Sequence, residues 1–191
     1  GRLALASGGL ALFSVSDGFI YLTLRDLGAV QLAYFPLLFL GTAAAYLALA
    51  VPLGRLADRV GRRKVLIGGH VALLGAYILL LAGEAVNHAI LLVGVLLLLG
   101  LYYAATDGVF AAMAAALSPP GVRGSGIAVV QTAVAGGRLL SAVLFGLLWT
   151  LFSQQLALVC FAVALAVAMP LAARTLRLCD HVGASGESAH A

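Results

Sequence analysis

Apolar residues fill six long stretches of the chain, separated by short polar breaks. The first runs from about Leu3 to Leu24 and stops at Arg25 and Asp26. The second covers roughly Gln31 to Leu53, with Pro36 in its early turns and Pro52 near its end, and the third runs from about Val65 to Gly83, closed by Glu84 and Asn87. The fourth extends from near Ala89 to about Leu117, before Ser118, Pro119 and Pro120. The fifth spans about Gly126 to Thr150, and after Ser153, Gln154 and Gln155 the sixth reaches roughly Leu176. A bilayer core of ~30 Å takes roughly 20 helical residues, so each stretch predicts one crossing. Membrane strands would alternate apolar and polar positions, and runs such as ILLVGVLLLLGLYY do not. The pattern predicts an all-α membrane protein of six transmembrane helices over residues 1–178, followed by a small, polar tail, 179–191, expected to be disordered.

Composition agrees with the pattern. Hydrophobic residues make up 63% of the 191 positions and charged residues 9%, against roughly half and about a quarter in soluble domains. The formal charge of +4 gains meaning only from its distribution. With six crossings, one side holds Arg2, Arg55, Arg59, Arg62, Arg63, Lys64, Arg123, Arg174 and Arg177, and the other holds Arg25 alone. The positive-inside rule then makes both termini, the tail and the break after the second helix cytoplasmic, with Trp149 in the external aromatic belt. The cations are accounted for by topology, and nucleic acid is not an expected partner. Cys160 and Cys179 lie about 28 Å apart along a helix, too far for a disulfide, and read as free thiols. The first residue is Gly1, and the first apolar run is longer than a signal-peptide core, which favours a fragment over a cleaved leader.

The densest charge lies in GRLADRVGRRK, residues 54–64, with five cations and one acid. Any short cytoplasmic loop collects Arg and Lys. That bias does not account for the order Gly54, Asp58, Arg59, Gly61, Arg62, Arg63. Geometrically, Gly54 is expected to let the second helix end closely packed, Asp58 to offer an acceptor to an Arg or a helix N-terminus, and Gly61 to permit a tight turn.

This order resembles the signature loop of the major facilitator superfamily, Gly-x-x-x-Asp-Arg-x-Gly-Arg-Arg/Lys between the second and third helices of a six-helix half. The stretch from Thr106 to Trp149 also looks like the tenth and eleventh helices of bacterial members. The resemblance implies a secondary active transporter of the cell (inner) membrane working by alternating access, with a cytoplasmic gating loop at Gly54 to Arg63. It implies that this chain is half of a twelve-helix fold, the C-terminal half being favoured over the N-terminal half or a dimer of halves. The missing half or a second copy, the lipid bilayer, a small-molecule substrate and protons are the implied partners. An enzyme is not expected; the rival class is a non-transporting membrane scaffold or a membrane-embedded enzyme. Catalytic groups gathered near one interface would mark an enzyme, and here the polar groups are dispersed at mid-depth.

Three charges fall within spans: Asp17, Asp107 and Arg138. Each costs about 2.5 to 3.5 kcal/mol to insert and so calls for a partner or a water-filled cavity. On a continuous first helix Ser7, Ser14, Asp17, Gly18 and Tyr21 share one arc. Gly100, Tyr103, Asp107, Ala111 and Ala114 do so on the fourth helix, and Gln131, Arg138 and Ser141 on the fifth. By the resemblance, the first, second, fourth and fifth helices line the substrate cavity. Asp17, Asp107, Arg138, Gln131, Tyr21 and Tyr103 are therefore the candidate substrate and proton pathway. Either aspartate could pair with Arg138, and structural neutralisation competes evenly with a functional switch. Ser16-Asp17-Gly18 is echoed by Thr106-Asp107-Gly108, a weak sign of a 3+3 inverted repeat. His70 reads as hydrogen-bonded packing. No metal-ligand spacing, phosphate loop or catalytic constellation is visible, so no metal or cofactor is expected.

Overall fold

The computed structural model describes the backbone of residues 2–116, 118, 119 and 121–187, and the side chains of these from 3 to 175. Its helices are α1 (Arg2–Ala11), α2 (Asp17–Asp26), α3 (Phe35–Val60), α4 (Arg62–Leu81), α5 (His88–Ala116), α6 (Arg123–Leu151) and α7 (Gln154–Glu187), with 3₁₀ turns at Leu32–Tyr34 and Gly83–Ala85. Among the described residues there is no strand. Five helical segments are long and apolar enough to cross a membrane: Leu32–Val60, Arg62–Leu81, His88–Ala116, Arg123–Leu151 and Gln154–Thr175. Residues 179–191, read as a tail from sequence, lie in part outside the described residues.

The predicted first helix is not continuous. Backbone from Leu12 to Ser16 leaves the helix, and α1 and α2 stand on either side of the break. Locally the sequence is Ser-Val-Ser-Asp-Gly, residue types that favour helix starts over helix interiors. Ser16 adopts extended backbone at the N-cap (φ −62°, ψ 139°), and Asp17 opens the first turn of α2, where an acid suits the helix dipole. The single arc of Ser7, Ser14, Asp17, Gly18 and Tyr21 is thereby corrected. Ser7 and Ser14 instead bond backwards to Ala4 O and Ala11 O. The apolar run concealed the break because the two halves together have the length and apolar content of one span, and only the local Ser-Val-Ser-Asp-Gly chemistry marks where they part.

The two short helices nevertheless run in the same sense beside α6. A Cβ on Gly8 would lie 3.1 Å from Ala133 O, and one on Gly137 2.5 Å from Gly8 O. Further along, Phe19 packs on Phe145 and Trp149 with ring centres 5.1 and 5.6 Å away. Small residues thus let α1 and α6 approach backbone to backbone, the usual basis of helix association in lipid. Helix α5 is the central strut, packing on α3, α4 and α6, while α7 packs on α1, α4 and α6.

Buried apolar side chains form two clusters at different heights. One gathers Val15, Ile20, Leu24, Tyr77, Leu91, Val95, Phe145 and Phe161; the other gathers Leu3, Leu66, Val109, Phe110, Met113 and Val130. His70 is fully buried on α4, its Nδ1 2.8 Å from Leu66 O, with Tyr102 and Phe110 edge-on to its ring. Its Nε2 has no hydrogen-bond partner.

The charged loop is a one-residue turn. Helix α3 continues to Val60 and α4 begins at Arg62, with Gly61 between them at φ 101°, a conformation that favours glycine. The expected role of Gly54 is corrected: it lies inside α3, not at its end, and a Cβ there would meet nothing within 4 Å. Three cations in the first turn of α4 oppose the helix dipole. Arg62 is drawn away from it, donating to Ala112 O on α5 at 3.0 Å and standing 3.6 Å from Asp58.

Candidate functional site

Asp107, Arg138, Tyr103 and Asp17 form one continuous polar chain across α5, α6 and α2. Arg138, at the middle of α6, donates through Nη2 to Asp107 Oδ1 at 3.0 Å. Its guanidinium carbon lies 5.4 Å from the centre of the Tyr103 ring, within cation–π range. Tyr103 in turn donates its hydroxyl to Asp17 Oδ1 at 2.6 Å. The Arg138–Asp107 pair is partly open, with side chains 37% and 43% exposed, so it borders a cavity and is not sealed in a core.

Two positions on α5 make this possible. Tyr103 and Asp107 are four residues apart and share a face, so one helix presents both the acid that meets Arg138 and the phenol that relays to Asp17. On α2, Asp17 reaches that phenol because the break sets the helix start at mid-depth. The structure thus resolves the pairing that sequence leaves open: Asp107 meets Arg138 directly, and Asp17 meets it through Tyr103.

Beside this chain is an open cleft of about 240 Å³ lined by Asp17, Tyr21, Phe39, Thr42, Ala43, Tyr46, Tyr103 and Asp107. Tyr21 is held by Thr42, their oxygens 2.7 Å apart, and by the edge-on rings of Phe35 and Phe39. The two carboxylates and several aromatic faces suit a small amphipathic solute. Of the six residues expected on the pathway, four line the cleft and Arg138 reaches it through Asp107 and Tyr103. Gln131, two turns along α6, is exposed and does not line it.

The second helix, α3, was expected on the cavity by the resemblance, but its lining residues were not named from sequence. Phe39, Thr42, Ala43 and Tyr46 recur at helical spacing on one face, and that spacing was a usable signal. Tyr77, described below, gave no such signal. Among the described residues, no three His, Cys, Asp or Glu side chains gather as a metal site would require.

The residues expected to form a gating loop lie elsewhere, at and near the α3–α4 turn. Asp58 is largely exposed and pairs with Arg62 of its own loop; Arg59 is exposed near the end of α3.

The Major Facilitator Superfamily family model matches residues 3–189. The chain belongs to this superfamily. No curated protein and no solved structure matches significantly. As a major facilitator protein it is a multi-pass membrane transporter.

Proposed function

We propose that the chain forms a six-crossing half of a secondary active transporter that moves a small solute by alternating access, with proton binding coupled to it. The observation that carries this reading is the mid-depth relay Asp107–Arg138–Tyr103–Asp17 at the edge of an open cleft. Charges at such depth are costly, and a path for ions or solute is their usual reason. In this reading α1 and α2 together make the first crossing, supported by their parallel course beside α6.

The packing pattern supports a 3+3 inverted repeat. The packing of α1 on α6 is matched by that of α3 on α5, that of α1 on α7 by α5 on α4, and that of α6 on α7 by α3 on α4. Both termini and the Asp58 loop are cytoplasmic in this reading, in the inner membrane. A second six-helix unit, the missing half or another copy, completes the path.

The test is proteoliposomes carrying an internal pH-sensitive dye, challenged with a panel of small organic solutes. At least one solute is expected to drive a proton flux that Arg138→Ala abolishes. A solute-driven flux that persists unchanged in Arg138→Ala, Asp107→Asn and Asp17→Asn would overturn the site assignment.

A further inference from the structure

We propose that Tyr77 is a positioning residue for Asp17, acting from α4 through the broken backbone between α1 and α2; the inference rests on Asp17 being part of the transport site. The helix ladder ends where Phe13 and Ser14 bond back to Leu10 and Ala11, and resumes where Phe19 and Ile20 bond to Ser16. Between these, the carbonyls of Phe13 and Ser14 and the N–H of Val15 need partners from outside the ladder, because hydrocarbon supplies none. Tyr77 satisfies two of them, accepting from Val15 N at 2.7 Å and donating to Phe13 O at 3.0 Å. Ser141 on α6 donates to Ser14 O at 2.7 Å. Both side chains are fully buried.

Asp17 is two residues beyond Val15 and is the first residue of α2. Its height and direction are therefore set by how the break is held, since helix continuity no longer fixes α2 to α1. Removing the phenolic hydroxyl leaves two backbone groups unmatched. The nearest way to satisfy them is to restore a continuous helix, and that turns Asp17 about the helix axis and away from Tyr103. Tyr77 spends its hydroxyl on Val15 and Phe13 and is not among the residues that line the cleft. The titratable and charged groups around Asp17 are Tyr21, Tyr77, Tyr103, Asp107 and Arg138, drawn from α2, α4, α5 and α6, with Tyr46 of α3 lining the same cleft.

Infrared difference spectroscopy of the reconstituted protein reads the Asp17 carboxyl without a known substrate, with Asp17→Asn identifying its band. Tyr103→Phe should change the proton affinity of that band by about threefold or more, because it removes the direct hydrogen bond. Tyr77→Phe is expected to shift it in the same sense, with the protein still inserted. A Tyr77→Phe band identical to wild type, while Tyr103→Phe moves it, would overturn the positioning role. A band that Tyr103→Phe leaves untouched would instead overturn the underlying site. If Tyr77→Phe does not fold, Ser141→Ala, which strips only the Ser14 carbonyl of its partner, is judged by the same criterion. In the wild-type protein the Val15 amide, although outside any helix, should resist hydrogen exchange as the flanking helices do; exchange at the rate of an unprotected amide would refute the clamp.

Discussion

Arg138 and Asp107 face one another across α6 and α5 at 3.0 Å, while the second acid, Asp17, is linked to the same guanidinium by contact through the phenol of Tyr103. One cation therefore serves two carboxylates by unlike routes. Asp107 is neutralised by contact, and Asp17 is left with a hydrogen bond from a neutral group. In the proposed proton-coupled transporter, that inequality assigns proton exchange to Asp17 and the holding of Arg138 to Asp107.

Arg138→Lys tests the geometry apart from the charge. A lysine keeps the cation but presents a point charge with no planar face for Tyr103. Solute-driven proton flux is expected to fall by about tenfold or more, equivalent to ~1.4 kcal/mol, with membrane insertion unchanged. Flux equal to wild type would reduce the role of Arg138 to bulk neutralisation.

Adjacent glycines on α6 should respond oppositely to one methyl group. Gly137 faces the α1 backbone, where a Cβ would lie 2.5 Å from Gly8 O. Gly137→Ala is expected to destabilise the protein by about 1–3 kcal/mol, the usual cost of overpacking. Gly136 has nothing within 4 Å, so Gly136→Ala should be neutral or stabilising by up to ~1 kcal/mol through helix propensity. Thermal unfolding in detergent separates the two.

At the α3–α4 turn, Asp58 and Arg62 are coupled to α5 through the bond from Arg62 to Ala112 O. Asp58→Asn should leave insertion intact and slow transport several-fold, the scale of a charge effect of about 0.3 to 1 kcal/mol at a helix start. Arg62→Ala should slow it further, since it also strips the α5 carbonyl of its donor. Initial transport rates at matched expression check both.

Orientation can be read with an impermeant thiol reagent in a cysteine-free background. Glu84→Cys, in the turn after α4, should be labelled in intact cells, and Arg59→Cys only in inverted vesicles. The reverse pattern would invert the topology.

Much of the site was legible one helix at a time. Asp17, Asp107 and Arg138 announce themselves because an ionised group within an apolar run has no inexpensive place except a cavity or a partner. Tyr103 was legible with Asp107 because four residues make one helical face. The aromatic and hydroxyl face of α3 carried a signal of the same kind that went unread, and Gln131, on the same side of α6 as Arg138, lies outside the cleft. Periodicity places residues on a face but does not say how far along the partner helix that face is met.

The sequence by itself determined the class, the five long apolar helices, the family and a tight turn at Gly61, because each depends on local quantities: apolar length, motif spacing, and a backbone angle that favours glycine; that α3 and α4 run on through residues 54–64 to meet at that single residue was not legible. Only the tertiary structure decided which acid holds Arg138 and where the first apolar run breaks. Helix continuity from Leu12 to Ser16 is a competition between the ladder's own bonds and those offered by Tyr77 and Ser141, which lie 62 and 127 residues away in sequence from the groups they satisfy. No local pattern contains that comparison, because its outcome depends on α4 and α6 standing beside the break.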